Sequence, residues 1–128
     1  MLLLFAVVLC WCPARPLSGE APRKPQTVEL TIDFGDGFQY RYTKLVWHDD
    51  MTVLDVLKQA RQHRHPLRFE FRGEGARAFV TSIGRVKNEG ARGSNWIFRV
   101  GGKLGDRSCG IYPVRAGEKV LWSFQRYP

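Results

Sequence analysis

Alternating hydrophobic and polar positions predict a β-hairpin early in the chain. In the stretch TVELTIDFGDGFQYRY, apolar residues occupy every second position on both sides of a Gly-Asp-Gly turn at 35–37. These positions are Val28, Leu30, Ile32 and Phe34 before the turn, and Phe38, Tyr40 and Tyr42 after it. Two strands joined by a tight turn have this pattern. Leu45 and Trp47 break the alternation, which predicts a bulge or a bend in the second strand.

The spacing of hydrophobic residues then changes to a helical period in MTVLDVLKQARQHRHP. Thr52, followed three residues later by Asp55, resembles a capping box and predicts the start of a helix. Pro66 is expected to end it, because proline lacks the backbone N–H that a helix needs. One face of this helix is apolar and predicts burial; its residues are Val53, Leu54, Val56, Leu57 and Ala60.

Strand patterns return after Pro66. The segment LRFEFRG alternates, ARAFVTSIGRV is a second short strand running into a turn, and KNEGARGSN is typical of an exposed loop. The strand WIFRV, a turn at Gly101-Gly102 and a last strand around Val120, Trp122 and Phe124 complete the chain. A hairpin, one helix and a returning last strand predict the α+β class, with a β-grasp-like mixed sheet and one main helix packed across it.

The N-terminal region is typical of a signal peptide. An uninterrupted apolar run, MLLLFAVVLCWC, is followed by the helix-breaking PARP, and the run is too short to span a bilayer. We predict a signal peptide at residues 1–21 with cleavage after Ala14 or Ala21, a flexible lead-in at 22–26, and the folded domain at 27–128. The protein is therefore expected to be secreted, to the periplasm or the extracellular space.

Cysteine usage and charge narrow the classes of partner. Cleavage at either position would leave Cys109 as the only cysteine, so we expect a buried thiol rather than a disulfide or a nucleophile. The chain has 20 basic and 12 acidic residues, a formal net charge of +8. Such a charge favours acidic partners. Export argues against nucleic acid, so an anionic extracellular polymer is the favoured partner of this kind.

Arginines could provide an anion-binding surface if they share a face. Six of them lie between residues 68 and 99: Arg68, Arg72, Arg77, Arg85, Arg92 and Arg99. The residues predicted for polyanion binding are Arg68, Arg72, Arg77 and Arg99. The alternative is an ordinary solvated surface, because acidic residues lie between these arginines in the sequence; they are Glu70, Glu74 and Glu89.

Five segments carry a resemblance to a known family: VELTIDFGDG, MTVLDVLKQA, FRGEGARAFVTSIGRVKNEG, NWIFRVGGK and GIYPVRAGEKVLWSF. In this order they resemble the transcobalamin-like C-terminal domain, a β-grasp module of exported proteins. The family usually has Asn where this chain has Gly101, and Gly-Asp where it has Gly117-Glu118.

The resemblance implies binding rather than catalysis. In the cobalamin carriers, this domain covers one face of a corrinoid that is held against a second, helical domain. This sequence predicts no helical partner domain, so a lone module would leave a corrinoid half exposed. Tight corrinoid binding by the monomer is therefore not expected.

Aromatic residues in the second half of the chain suggest a binding platform. Trp96 and Tyr112 could stack on a planar ligand or a sugar, and Asn95 and Arg99 could add polar contacts. The predicted ligand-binding residues are thus Asn95, Trp96, Arg99 and Tyr112. The alternative for the tryptophans is burial in the core, which the alternating register favours for Trp122.

Metal binding and catalysis have little support in the sequence. His48, Asp49 and Asp50 look like a turn before the helix, while His63 and His65 are two residues apart and are expected to point to different sides. No metal site, no cofactor and no enzyme activity are predicted. We expect a monomeric, exported, non-catalytic module that binds a small ligand, including corrinoid-like ones, or an extracellular partner. Attachment to an anionic polymer and a structural adaptor role are the alternatives.

Overall fold

A computed structural model describes residues 24–128 of the protein. The predicted signal peptide, both alternative cleavage sites and two of the three cysteines lie outside these residues. Within them, Lys24, Pro25 and Gln26 have no regular structure. The helix and strands, in chain order, are β1 (Thr27–Asp33), β2 (Gln39–Val46), α1 (Val53–Arg61), β3 (Phe69–Arg72), β4 (Phe79–Ile83), β5 (Val86–Lys87), β6 (Asn95–Val100), β7 (Lys103–Leu104) and β8 (Lys119–Gln125).

The main sheet has the strand order β2-β1-β8-β6-β7. β8 runs parallel to β1, with Leu30 opposite Val120, and antiparallel to β6. The last strand, β8, thus lies between β1 of the hairpin and β6. This order confirms the α+β class and the β-grasp-like arrangement. β3, β4 and β5 form a second, antiparallel sheet of three strands. The sequence pattern predicted β3 and β4, but neither β5 nor the separation of these strands from the main sheet.

The β1–β2 hairpin forms where it was predicted. Gly35 has a φ of +79°, a conformation that a residue with a side chain rarely adopts, and its N–H donates to Asp33 Oδ1 at 2.8 Å. Between the pairs Val28–Leu45 and Leu30–Tyr42, β2 contains one more residue than β1. This irregularity is the predicted bulge.

Helix α1 starts as the sequence predicted and ends earlier. Thr52 and Asp55 form a reciprocal capping box, in which Asp55 N–H donates to Thr52 Oγ1 at 3.2 Å and Thr52 N–H donates to Asp55 Oδ2 at 3.0 Å. The predicted apolar face of the helix is buried. The helix ends at Arg61 rather than next to Pro66, because the chain turns back there and the Ala60 carbonyl accepts from Leu67 N–H at 3.0 Å.

The core lies between the main sheet and α1 and extends beneath the smaller sheet. Cys109 is buried in it, and burial raises the pKa of its thiol to about 11. The thiol is therefore neutral at physiological pH, and its predicted burial is confirmed. Trp122 is buried as well, in the alternating register of β8 that predicted it.

Candidate functional site

A groove opens at the tip of the β1–β2 hairpin, between the hairpin, the turn after α1 and the β4–β5 turn. Its volume is about 600 Å³, within the range of about 300 to 1,000 Å³ that small-molecule sites occupy. We call it the hairpin groove. The residues that line it include Phe34, Phe38, Tyr40, Tyr42, His63, His65, Arg68 and Arg85.

Three aromatic rings form one wall of the hairpin groove. The ring centres of Phe34 and Phe38 are 5.9 Å apart, those of Phe34 and Tyr40 are 5.5 Å apart, and those of Phe38 and Tyr40 are 5.0 Å apart. Phe38 is 53% exposed and Tyr40 is 42% exposed. We call these three residues the aromatic wall. It presents open ring surface to a ligand.

The aromatic wall lies at the turn end of the hairpin, and the hairpin is longer than the helix. An eight-residue strand such as β2 spans roughly 26 Å, whereas the nine-residue α1 spans about 14 Å. Tyr42 is buried against the turn after α1, while Tyr40 and Phe38, which are closer to the hairpin turn, are exposed. The same alternation therefore gives core at one end of the strand and open surface at the other.

The turn after α1 closes one side of the groove. Tyr42 Oη donates to the His65 carbonyl at 2.9 Å, and the His63 ring lies edge-on to Tyr42 with ring centres 5.1 Å apart. Burial, together with the nearby Tyr40, raises the pKa of Tyr42, which keeps the phenol protonated as a donor. His65 N–H donates to His63 Nδ1 at 3.1 Å.

The two histidines do not point to different sides, so that prediction was wrong. Both line the hairpin groove, with ring centres 6.0 Å apart. The helix has already ended at Arg61, and the turn that follows does not keep the helical spacing on which the prediction depended. Among residues 24–128, no group of three His, Cys, Asp or Glu side chains is arranged to hold a metal ion.

Arg68 and Arg85 form the basic side of the groove. The Gly84 N–H donates to the Arg68 carbonyl at 2.7 Å, which holds the start of the smaller sheet beside the β4–β5 turn. Gly84 packs on Phe34, since a Cβ built on it would lie 3.2 Å from that ring. Both guanidinium groups belong to exposed residues, and neither forms an ion pair with any residue of the described part of the chain.

Trp96, the centre of the predicted ligand site, is 5% exposed. Its Nε1 donates to the Val86 carbonyl at 2.8 Å, and its ring packs against Phe34 and Phe124 with ring centres 5.4 and 5.3 Å apart. The structure therefore places Trp96 in the core, directly behind the aromatic wall.

The other predicted ligand residues lie elsewhere. Asn95 and Arg99 alternate with Trp96 along β6 and face the opposite side of the sheet. The Asn95 amide organises the loop before β6, donating to the Gly90 carbonyl at 2.8 Å and accepting from Gly90 N–H at 2.9 Å. Tyr112 packs edge-on to Phe98 at 5.4 Å. The four predicted residues do not form one surface.

The predicted polyanion residues are also dispersed. Arg68 lines the hairpin groove, together with Arg85. The Arg72 guanidinium lies 5.5 Å from the centre of the Phe79 ring, and Arg77 belongs to a short 3₁₀ turn before β4. Arg99 lies on the main sheet. The structure thus brings together one member of the predicted set with a second arginine that was outside it.

Sequence reasoning missed the hairpin groove, although a signal for part of it was present. The signal is that the alternating aromatic residues continue up to the hairpin turn, at Phe34, Phe38 and Tyr40. The sequence contains no signal for which side chains of the smaller sheet close that end.

None of the helices in residues 24–128 has the length and apolar character that crossing a bilayer requires.

Comparison with known proteins shows the fold. A "putative metal binding protein" from Ruminococcus gnavus ATCC 29149 is similar with a TM-score of 0.63 and 14% identity, covering 80% of this chain and 99% of that one. Haptocorrin, in its complex with Cbi, is similar with a TM-score of 0.65 and 19% identity, covering 82% of this chain. The similarity spans 26% of the haptocorrin chain, about a quarter of its length.

No curated protein matches this sequence. A family model does match it, over residues 50–126, from the residue before Met51 to the residue after β8. That match covers more than half of the chain. The protein therefore belongs to the family described as Domain of unknown function (DUF4430).

Proposed function

We propose that the protein is an exported, non-catalytic binding domain that takes a small ligand with a flat apolar face in the hairpin groove. The observation that carries the proposal is the aromatic wall, where Phe38 and Tyr40 are both exposed next to a concave surface. Stacking on rigid rings provides contact area at a small cost in conformational entropy.

Unlike the side chains of an ordinary exposed hydrophobic patch, the exposed rings of the groove are held in place by the residues packed behind and beside them. Phe34 lies behind the two exposed rings and is itself backed by Trp96. Tyr42 and the turn after α1 fix the adjacent side through the hydrogen bond to His65. A wall held in this way keeps its shape before a ligand arrives, which reduces the entropy lost on binding.

The fold similarity to haptocorrin makes a corrinoid one candidate for the flat ligand. The groove is open on one side, so we expect the domain alone to hold a corrinoid weakly, as the family resemblance implied. A smaller ring system that lies wholly against the aromatic wall fits the volume of the groove better.

Amide NMR spectra of the labelled protein, titrated with 2-naphthamide, test the proposal. At about 0.3 kcal/mol for each of the probe's heavy atoms, binding near 1 mM is expected. We expect saturable shifts at Phe38, Tyr40 and Arg85, and a loss of affinity of at least about fivefold in Tyr40→Ala. Phe79→Ala is the matched control, because Phe79 is a 48% exposed aromatic residue outside the groove.

Three results would count against the proposal. The absence of a saturable shift with naphthamide and with a corrinoid would remove the small-ligand function. Shifts centred on Asn95, Arg99 and Tyr112 would place the ligand at the site predicted from sequence. Equal effects of Tyr40→Ala and Phe79→Ala would indicate nonspecific association with exposed rings.

Attachment to an anionic polymer is the second candidate, supported by the exposure of Arg72 and Arg77 away from the groove. That function needs the basic surface as a whole and weakens steeply with salt. Reduced binding to heparin after Arg72→Glu/Arg77→Glu, equal to the reduction after Arg68→Glu/Arg85→Glu, would favour it over the groove.

A further inference from the structure

We infer that the hairpin groove selects ligands that carry an oxyanion, such as a carboxylate, at the edge of their flat face, and that Arg68 and Arg85 hold it. This inference rests on the proposed function and names the chemical class of its ligand. It differs from polymer attachment, because it needs two particular arginines beside the aromatic wall and not the net charge of the protein.

The charges around the groove are unbalanced. Arg68 and Arg85 contribute two positive charges, and Asp36 contributes the one carboxylate that lines the groove. That carboxylate is engaged in the hairpin turn, where Asp36 Oδ1 accepts from Phe38 N–H at 3.0 Å. A third arginine at the groove, Arg41, directs its Nε toward Glu29 Oε1 at 3.5 Å. The two arginines thus remain the basic groups available to a ligand.

The arginines and the aromatic wall are held in a fixed relation. The hydrogen bond from Gly84 N–H to the Arg68 carbonyl joins the two arginine-bearing segments. Gly84 in turn lies against the Phe34 ring, so the arginine side begins where the aromatic wall ends. A ring stacked on the wall would therefore have one edge toward the two segments that carry the arginines, whose guanidinium groups suit the planar geometry of a carboxylate.

Two carbonyl groups that would repel an anion accept hydrogen bonds, one in the last turn of α1 and one in the turn that follows it. The Ala60 carbonyl accepts from His63 N–H at 3.2 Å and from Leu67 N–H at 3.0 Å. The His65 carbonyl accepts from Tyr42 Oη. The partial negative charge at the helix end is thus offset by donors of the protein itself, and the groove remains favourable for an anion.

A pair of probes of nearly equal shape tests the inference. 2-Naphthoate and 2-naphthamide share the ring system and differ in the charge of the substituent. At low ionic strength we expect naphthoate to bind at least about fivefold more tightly, the size of a charge-assisted contact at an open site. Arg68→Gln/Arg85→Gln should remove the preference, and Arg85→Gln alone should reduce it. Arg72→Gln/Arg77→Gln is the matched control and should leave it unchanged.

The outcomes separate this inference from the function on which it rests. Equal binding of the two probes would overturn the anion preference and leave the flat-ligand function standing. Binding of neither probe would overturn both. Loss of the preference in the control variant to the same extent would show that the general surface charge, and not the two arginines, selects the anion.

Discussion

The Phe34 ring lies edge-on to the Trp96 indole, with ring centres 5.4 Å apart and an interplanar angle of 87°. Trp96 is buried, while Phe34 belongs to the aromatic wall. The tryptophan therefore supports the groove from behind. We therefore expect Trp96 to have a structural role, and Phe38 and Tyr40, which are exposed, to be the rings that contact a ligand.

Replacing Trp96 distinguishes a residue that stabilises the groove from one that contacts the ligand. In Trp96→Phe, the Val86 carbonyl loses the indole donor and the core loses volume, so the free energy of unfolding should fall by about 1 to 3 kcal/mol. Urea denaturation measures this change. Naphthamide affinity, measured where the variant is folded, should stay within about twofold because the ring makes no ligand contact. Unchanged stability with a large loss of affinity would show instead that Trp96 is a contact residue.

Gly35 at the hairpin turn should be intolerant of a side chain. Its φ is +79°, and a Cβ would lie 2.6 Å from the Phe124 carbonyl oxygen. We expect Gly35→Ala to lower the free energy of unfolding by about 2 to 4 kcal/mol, from backbone strain and the steric conflict together.

Gly37 is the matched control for that substitution. It also has a positive φ, of +94°, but a Cβ there meets nothing within 4 Å. Gly37→Ala should therefore cost about 1 kcal/mol, the strain contribution alone. Similar losses in thermal unfolding for the two variants would contradict the close approach of the turn to β8.

The Tyr42 hydroxyl should hold the turn after α1 in place. Tyr42→Phe keeps the ring against His63 and leaves the His65 carbonyl without its donor, so stability should fall by about 1 kcal/mol. Faster amide hydrogen exchange should be confined to residues 63–65. A uniform increase across the domain, with no excess at this turn, would show that the hydrogen bond does not order the groove.

The Cys109 thiol should be nearly inert in the folded protein. With a pKa raised to about 11 by burial, its thiolate fraction at pH 8 is roughly 100-fold below that of a free cysteine, and access reduces reactivity further. Alkylation by iodoacetamide, followed by mass spectrometry, should label Cys109 only after unfolding. Rapid labelling of the native protein would contradict its burial.

The same shift predicts a loss of stability in alkali. The folded state binds the thiol proton more tightly than the unfolded state. Both states are protonated at neutral pH, because the pKa of the thiol lies well above 7 in each. As the pH rises from the ordinary pKa of 9.0 toward about 11, mainly the unfolded state loses the proton, and the free energy of unfolding decreases. Cys109→Ala should show a smaller decrease over this range.

Local chemistry explains which parts of the fold were predictable. The Thr52–Asp55 capping box and the Gly35–Gly37 turn depend on residues close in sequence, so the patterns predicted them correctly. The helix end was misplaced, because the bond from Leu67 N–H to the Ala60 carbonyl depends on how the chain returns to the second sheet.

The site was less predictable than the fold. Trp96 and Tyr40 both occupy alternating strand positions, but Trp96 packs against Phe34 and Phe124 and is buried, whereas Tyr40 is 42% exposed. Arg68 and Arg85 are distant in sequence, and the bond from Gly84 to Arg68 brings them together. Such contacts between distant segments have no signature in the pattern of a single sequence.

Titration of the labelled protein with 2-naphthoate tests the central claim most directly, because one probe addresses both the aromatic wall and the arginines. The account predicts saturable amide shifts at the hairpin tip and the β4–β5 turn, and affinity reduced in Tyr40→Ala and in Arg68→Gln/Arg85→Gln. No saturable shift, or shifts that map to Asn95, Arg99 and Tyr112, would contradict it.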